Sequence, residues 1–173
     1  MPNWPLLFQS ALICGLLLSF GLTIIMIISA AAAPDMWVGD YPPDIRQKYG
    51  PMSPRSAHLR PFVALLFFLV VLVIPILGLS TVSARVGQVA FLPAFAFSAL
   101  TLLVFNLYDL IVLDWILFCT IQPRQMILPG TEGMAGYRDY RFHFIGFLKG
   151  LGFCAVGGLI IAILWSLGQA ATR

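Results

Sequence analysis

Two carboxylates, Asp109 and Asp114, stand close to Asn106 inside a long apolar run. An ionised carboxylate in hydrocarbon is expensive, so each acid needs a counter-charge, a wet cavity or an interfacial position. Lys149 lies in the last apolar run, flanked by Gly146 and Gly150. Its depth, counted back from Trp165, matches that of Asp109, which makes it the expected partner. Arg138 and Arg141 are the cations expected to hold Asp114. Asn106, Asp109, Asp114 and Lys149 can therefore do one of two things: brace helices as ion pairs, or carry a proton, ion or substrate in transport. On an α-helix turning about 100° per residue, Asp109 and Asp114 point about 140° apart. They are not expected to form a paired-carboxylate dyad on one face.

A second group with chemical potential is the stretch P-G-T-E-G-M-A-G-Y-R-D-Y-R. Gly130, Gly133 and Gly136 recur every third residue, followed by Arg138 and Arg141. Backbone N–H groups of such a loop can turn onto an anion. A compact turn with glycines at positive φ is the plainer reading. No strand precedes it and no G-K-[ST] follows, so it is neither a Walker loop nor a dinucleotide fingerprint. His58 and His143 each lie near a helix end, without H-x-x-H or C-x-x-C-H spacing. Cys14, Cys119 and Cys154 all fall in apolar runs and read as small buried hydrophobes. No metal, cofactor or catalytic residue is expected on these signals.

The elements that carry these residues are apolar runs at about 6–33, 62–79, 89–121 and 142–167. The chain is 60% hydrophobic and 10% charged, too little charge for the surface of a soluble domain. A span needs roughly 20 residues to cross a hydrocarbon core about 30 Å thick, and all four runs qualify. The first has no basic residue ahead of it, so it reads as a retained helix rather than a signal peptide. The third is about 51 Å long if wholly α-helical, roughly 20 Å more than the core. It must tilt, break or lie under cover at one end. Ala11, Gly15 and Ser19 in the first run, with Gly146 and Gly150 in the fourth, form small faces that let helices approach closely. Contact between these two helices is the expectation.

Between the first and second runs, a short helix is expected over 43–49. Ile45 and Tyr49 share its inner face, and Gly50 and Pro51 stop it. The two long connections carry seven basic residues: Arg46, Lys48, Arg55, Arg60, Arg124, Arg138 and Arg141. The other side has Arg85 and Arg173. The positive-inside rule then puts both connections in the cytoplasm and both termini outside.

The fold expected is thus all-α: one domain over 1–173, a four-transmembrane-helix bundle with antiparallel neighbours and two cytoplasmic connections. Y-P-P-D-I-R-Q-K-Y-G, N-L-Y-D-L-I-V-L-D-W and P-G-T-E-G-M-A-G-Y-R-D-Y-R-F-H-F together resemble a group of small prokaryotic four-helix integral membrane proteins. The resemblance covers most of the chain. It implies the architecture and a place in the prokaryotic cytoplasmic (inner) membrane, and it transfers no catalytic residue. The chain lacks the membrane glutamate of small multidrug exporters and the paired glutamates of intramembrane CAAX-type proteases. It also lacks the C-x-x-C of quinone-linked thiol oxidases.

Three functional readings compete. The first is a non-enzymatic structural or accessory subunit. The second is an oligomeric transporter or channel using Asp109, Asp114 and Lys149. The third is an enzyme with a cytoplasmic-face site built from Asp114, Glu132, Asp139 and His143. The bilayer is the expected environment, a homo-oligomer or partner membrane subunit the expected protein contact, and no nucleic acid is expected.

Overall fold

A computed structural model describes residues 2–171; Arg173, counted in the charge balance, lies outside them. Helix α1 (Trp4–Ala32) leads through a 3-10 segment (Pro34–Asp40) into the short helix α2 (Pro43–Tyr49). Helix α3 (Pro54–Val86) returns. Helix α4 (Phe91–Tyr108) continues without a break as a π-helix (Asp109–Ile121), and α5 (Tyr140–Ala171) closes the chain. Among the described residues, four helices are long and apolar enough to cross a membrane. The protein is an all-α four-helix membrane bundle.

Local chemistry sets the helix ends. Asn3 accepts from the Leu6 N–H, and Ser53 accepts from the Ser56 N–H, each satisfying a donor that the first turn leaves free. Pro54 at the start of α3 loses no bond there, because that N–H has no helical partner. Helix α3 therefore starts eight residues before its apolar run and ends, at Gly87 (φ 81°), well beyond it. The expected helix over 43–49 forms with those bounds. Gly50 follows at φ 90°, with Ile45 fully buried and Arg46 and Lys48 exposed.

The small faces do close helix contacts, but not the expected ones. Helix α4 is central: it packs most extensively on α5, then on α1, while α3 packs mainly on α1. Helices α1 and α5 flank α4 and barely meet. A Cβ at Gly15 would lie 2.5 Å from Val104 Cβ, and the Ala11 carbonyl accepts from Thr101 Oγ1 at 3.4 Å. Ser19 is buried and bonds back to the Gly15 carbonyl at 2.7 Å. On α5, Gly150 abuts the Asn106 amide and Gly158 abuts the Ala99 backbone, whereas Gly146 faces open space. The expected α1–α5 contact is thus replaced by two contacts, each to α4. Small residues admit a close neighbour but do not name it.

The core lies where α1, α3, α4 and α5 meet, around Leu18, Leu22, Leu79, Phe97 and Ile161. At the end carrying the termini, Trp165 and Gln169 both donate to the Val89 carbonyl, at 3.2 and 2.9 Å. At the opposite end the two long connections fold over the bundle. They share a separate hydrophobic cluster of Val38, Tyr41, Ile45, Leu128 and Tyr137, which takes in Phe118 and Cys119 of the π-helix. This cap buries Phe118 and Cys119 on one face of the tail of the third run, while Ile116 and Ile121 stay exposed on the other.

Candidate functional site

The π-helix changes the geometry of the acids. Its bonds join residues five apart, as in Gln122 N–H to the Leu117 carbonyl at 2.8 Å. Such turns are rare and normally single; here thirteen residues adopt them. The wider turn brings Asp109 and Asp114 closer to one face than an α-helix would, and they lie within electrostatic reach of each other. No glycine or proline in the segment forces this. Its far end is set by tertiary bonds: Gln122 sits at φ 52°, and its amide donates to the Cys119 and Tyr137 carbonyls at 3.0 and 3.2 Å.

Asp114 does not pair with Arg138 or Arg141, which are both exposed. Its Oδ1 lies 2.9 Å from His143 Nδ1, within hydrogen-bond distance. His143 is buried on the first turns of α5 and packs on the Phe118 ring at 4.9 Å. Asp109 does not pair with Lys149. Lys149 is exposed on α5, while Asp109 is within electrostatic reach of Asp114, His143 and Asp40. A lysine near the end of a membrane helix can extend its ammonium toward the interface, so its Cα depth does not fix a partner. His143 Nε2 and Trp115 Nε1 are buried without a hydrogen-bond partner among the described residues. Asn106 donates to the Phe147 carbonyl at 3.1 Å and ties α4 to α5.

The glycine loop does hold an anion, and the anion belongs to the chain itself. Gly136 N–H donates to Asp44 Oδ2 at 3.0 Å, joining α2 to the second long connection. Gly130 N–H donates to Glu132 Oε1 at 3.1 Å. Glu132's own amide and that of Gly130 hold its carboxyl below the usual range. Gly130 and Gly133 take positive φ, 80° and 74°, as a compact turn requires. Arg138 and Arg141 contribute no bond to this loop.

Two further locks were not legible. Asp35, 5% exposed, accepts from the Ser53 N–H, the Ser53 hydroxyl and the Ser56 hydroxyl. Burial alone would raise its pKa, but these bonds outweigh burial and lower it. The carboxylate clamps the end of α1 to the start of α3. Tyr137 Oη accepts from the Leu128 N–H at 2.9 Å and bonds Thr131 Oγ1 at 2.7 Å. Tyr41 Oη donates to the Met126 carbonyl at 2.9 Å. Burial, then the neighbouring Tyr137 and Asp40, push the Tyr41 hydroxyl well up, so it stays a donor. The S-P-R-S sequence, with a serine at each end, is the one available hint of the Asp35 clamp. For Tyr41 no local signal exists, because its partner is a backbone carbonyl 85 residues away.

A small cavity of about 210 Å³ under Trp37 has Asp40 and Arg60 in its wall. Asp109, Asp114 and His143 do not line it. Of Asp114, Glu132, Asp139 and His143, the acid–base groups of an enzymatic reading, Asp114 and His143 meet, and Glu132 and Asp139 do not join them. Glu132 is exposed, Asp139 Oδ1 caps the Phe142 N–H at 2.9 Å, and His143 is sealed against Phe118. No family model, curated protein or solved structure matches the chain.

Proposed function

We propose that this protein is a non-enzymatic structural or accessory subunit of a membrane assembly. It sits in a prokaryotic cytoplasmic membrane with the capped end inside and the termini outside. The observation that carries the reading is the use of polar groups at the capped end. Asp35, Asp44, Asp139 and Asn106 each bind this chain's own backbone or neighbouring side chains. Such groups rigidify a scaffold and leave little convergent chemistry for a substrate. The lipid-level surface of the four helices stays extensively apolar, with α3 the least buried, and can accept further helices.

A second reading is favoured by one observation. Asp109, Asp114 and His143 gather on a π-helical distortion, and such distortions often mark functional sites. An acid–imidazole–acid cluster can pass a proton, which is transporter chemistry. Purification in mild detergent separates the two. The accessory reading expects a particle containing other membrane polypeptides in fixed ratio, and liposomes of the isolated chain that pass no protons. A lone chain that acidifies liposomes, and stops doing so as Asp109→Asn, overturns it.

A further inference from the structure

Away from the capped end, α1 and α3 enclose a trough of about 630 Å³. It runs from Leu6 beside Arg85, at the end carrying the termini, to Leu17 beside Ile74. Eleven residues of helix make it roughly 17 Å long at about 1.5 Å per residue. That is about half of a hydrocarbon core near 30 Å thick, the depth of one leaflet. Its floor includes a close contact of the two helices at Gly78 and Cys14. A Cβ at Gly78 would lie 2.5 Å from Cys14 Sγ and 2.7 Å from Phe97. The walls are apolar. The polar groups, Gln9, Ser10, Thr81 and Arg85, lie toward the terminal end. Apolar clefts of this size with a few placed polar groups are the usual form of a small-molecule site.

We propose that this trough binds one anionic phospholipid, an acyl chain along the Cys14–Gly78 floor and the headgroup phosphate on Arg85. Charge complementarity selects the occupant. Arg85 is exposed, and no carboxylate among the described residues lies within ion-pair distance of it. A second copy or a partner helix filling the trough would desolvate that cation and would have to bring a carboxylate to it. A phospholipid brings its phosphate to the same depth as its own chains. Cationic pockets between membrane helices bind anionic headgroups on this principle. The site is independent of the accessory reading, because it needs no other subunit.

The test uses the full chain in bilayer discs of equal phosphatidylglycerol and phosphatidylcholine. The protein is released gently, and retained lipid is weighed by native mass spectrometry. The wild type is expected to retain one phospholipid, favouring phosphatidylglycerol roughly fivefold, the scale of one arginine at a membrane surface. Arg85→Gln should retain lipid without headgroup preference, and Arg55→Gln should behave as wild type. Ser10→Phe with Thr81→Phe fills the trough and should retain none. The proposal is overturned if Arg85→Gln keeps the wild-type preference or if the wild type retains no lipid. Cross-linking of two chains through Gln9→Cys in the bilayer would give the trough to a second copy and equally overturn it.

Discussion

Asp35 makes the most specific residue-scale prediction. Its folded-state pKa lies below the unfolded value of about 3.9. A depressed carboxylate contributes stability that is fully present above the unfolded value and is lost as pH falls through the folded one. The protein should therefore lose thermal stability between about pH 4 and the folded-state value below it. Ser56→Ala removes one bond to the carboxylate, costs about 1–2 kcal/mol near neutrality, and flattens that acid dependence. Identical acid profiles for wild type and Ser56→Ala would refute the clamp. Asp114 and Lys149 permit a second contrast. Asp114→Asn weakens the bond to a buried His143 and should cost about 1–3 kcal/mol, since Asp114 is partly solvated. Lys149→Met removes an exposed charge and should change stability by less than about 0.5 kcal/mol. Chemical denaturation in detergent reads both. A larger loss for Lys149→Met would restore Lys149 as the partner of Asp109.

At the scale of the elements, hydropathy and turn chemistry carried the four spans and α2, because both signals are local. The burial of Ile45, the stop at Gly50 and the positive φ at Gly130 and Gly133 follow from neighbours within a few residues. What was not legible depends on long-range choice. Gly15 and Gly150 both face α4 instead of each other. Asp109 and Asp114 come nearer to one face because the third span widens into a π-helix, a change of turn that the apolar pattern does not announce. His143 was visible as a lone histidine, but its partner was hidden by the same change of turn. The packing assignment is testable. Gly150→Leu drives a side chain into the Asn106 amide, and Gly15→Leu drives one into Val104; each should cost about 1–3 kcal/mol or more. Gly146 is exposed and a Cβ there meets nothing within 4 Å, so Gly146→Leu should be near neutral. Equal unfolding midpoints for Gly146→Leu and Gly150→Leu would remove the α4–α5 contact as described.

For the molecule as a whole, the open question is which face of the membrane the cap occupies. Connectivity through four spans puts 34–53 and 122–139 at one end and both termini at the other. The cap and the adjoining first turns of α3 and α5 hold seven of the nine basic residues outside the apolar runs; the others are Arg85 and, in the sequence after α5, Arg173. Basic residues close to membrane helices are retained in the cytoplasm, and acids such as Asp35 and Asp44 count little in that balance. Folding does not weaken the argument. Asp35 and Asp44 are bound to serine and backbone donors, whereas Arg46, Lys48, Arg55, Arg124, Arg138 and Arg141 are all exposed. The orientation expected is cap inside, termini outside. Lys48→Cys and Glu132→Cys replace exposed side chains that bond no other element, and Pro2→Cys marks the terminal end. In intact cells an impermeant thiol reagent should label only the cysteine at position 2. After permeabilisation it should label all three. Labelling at position 48 or 132 from outside would invert the molecule. Arg85 and its trough would then face the cytoplasmic leaflet, with the phospholipid proposal intact and the inside assignment of the cap lost.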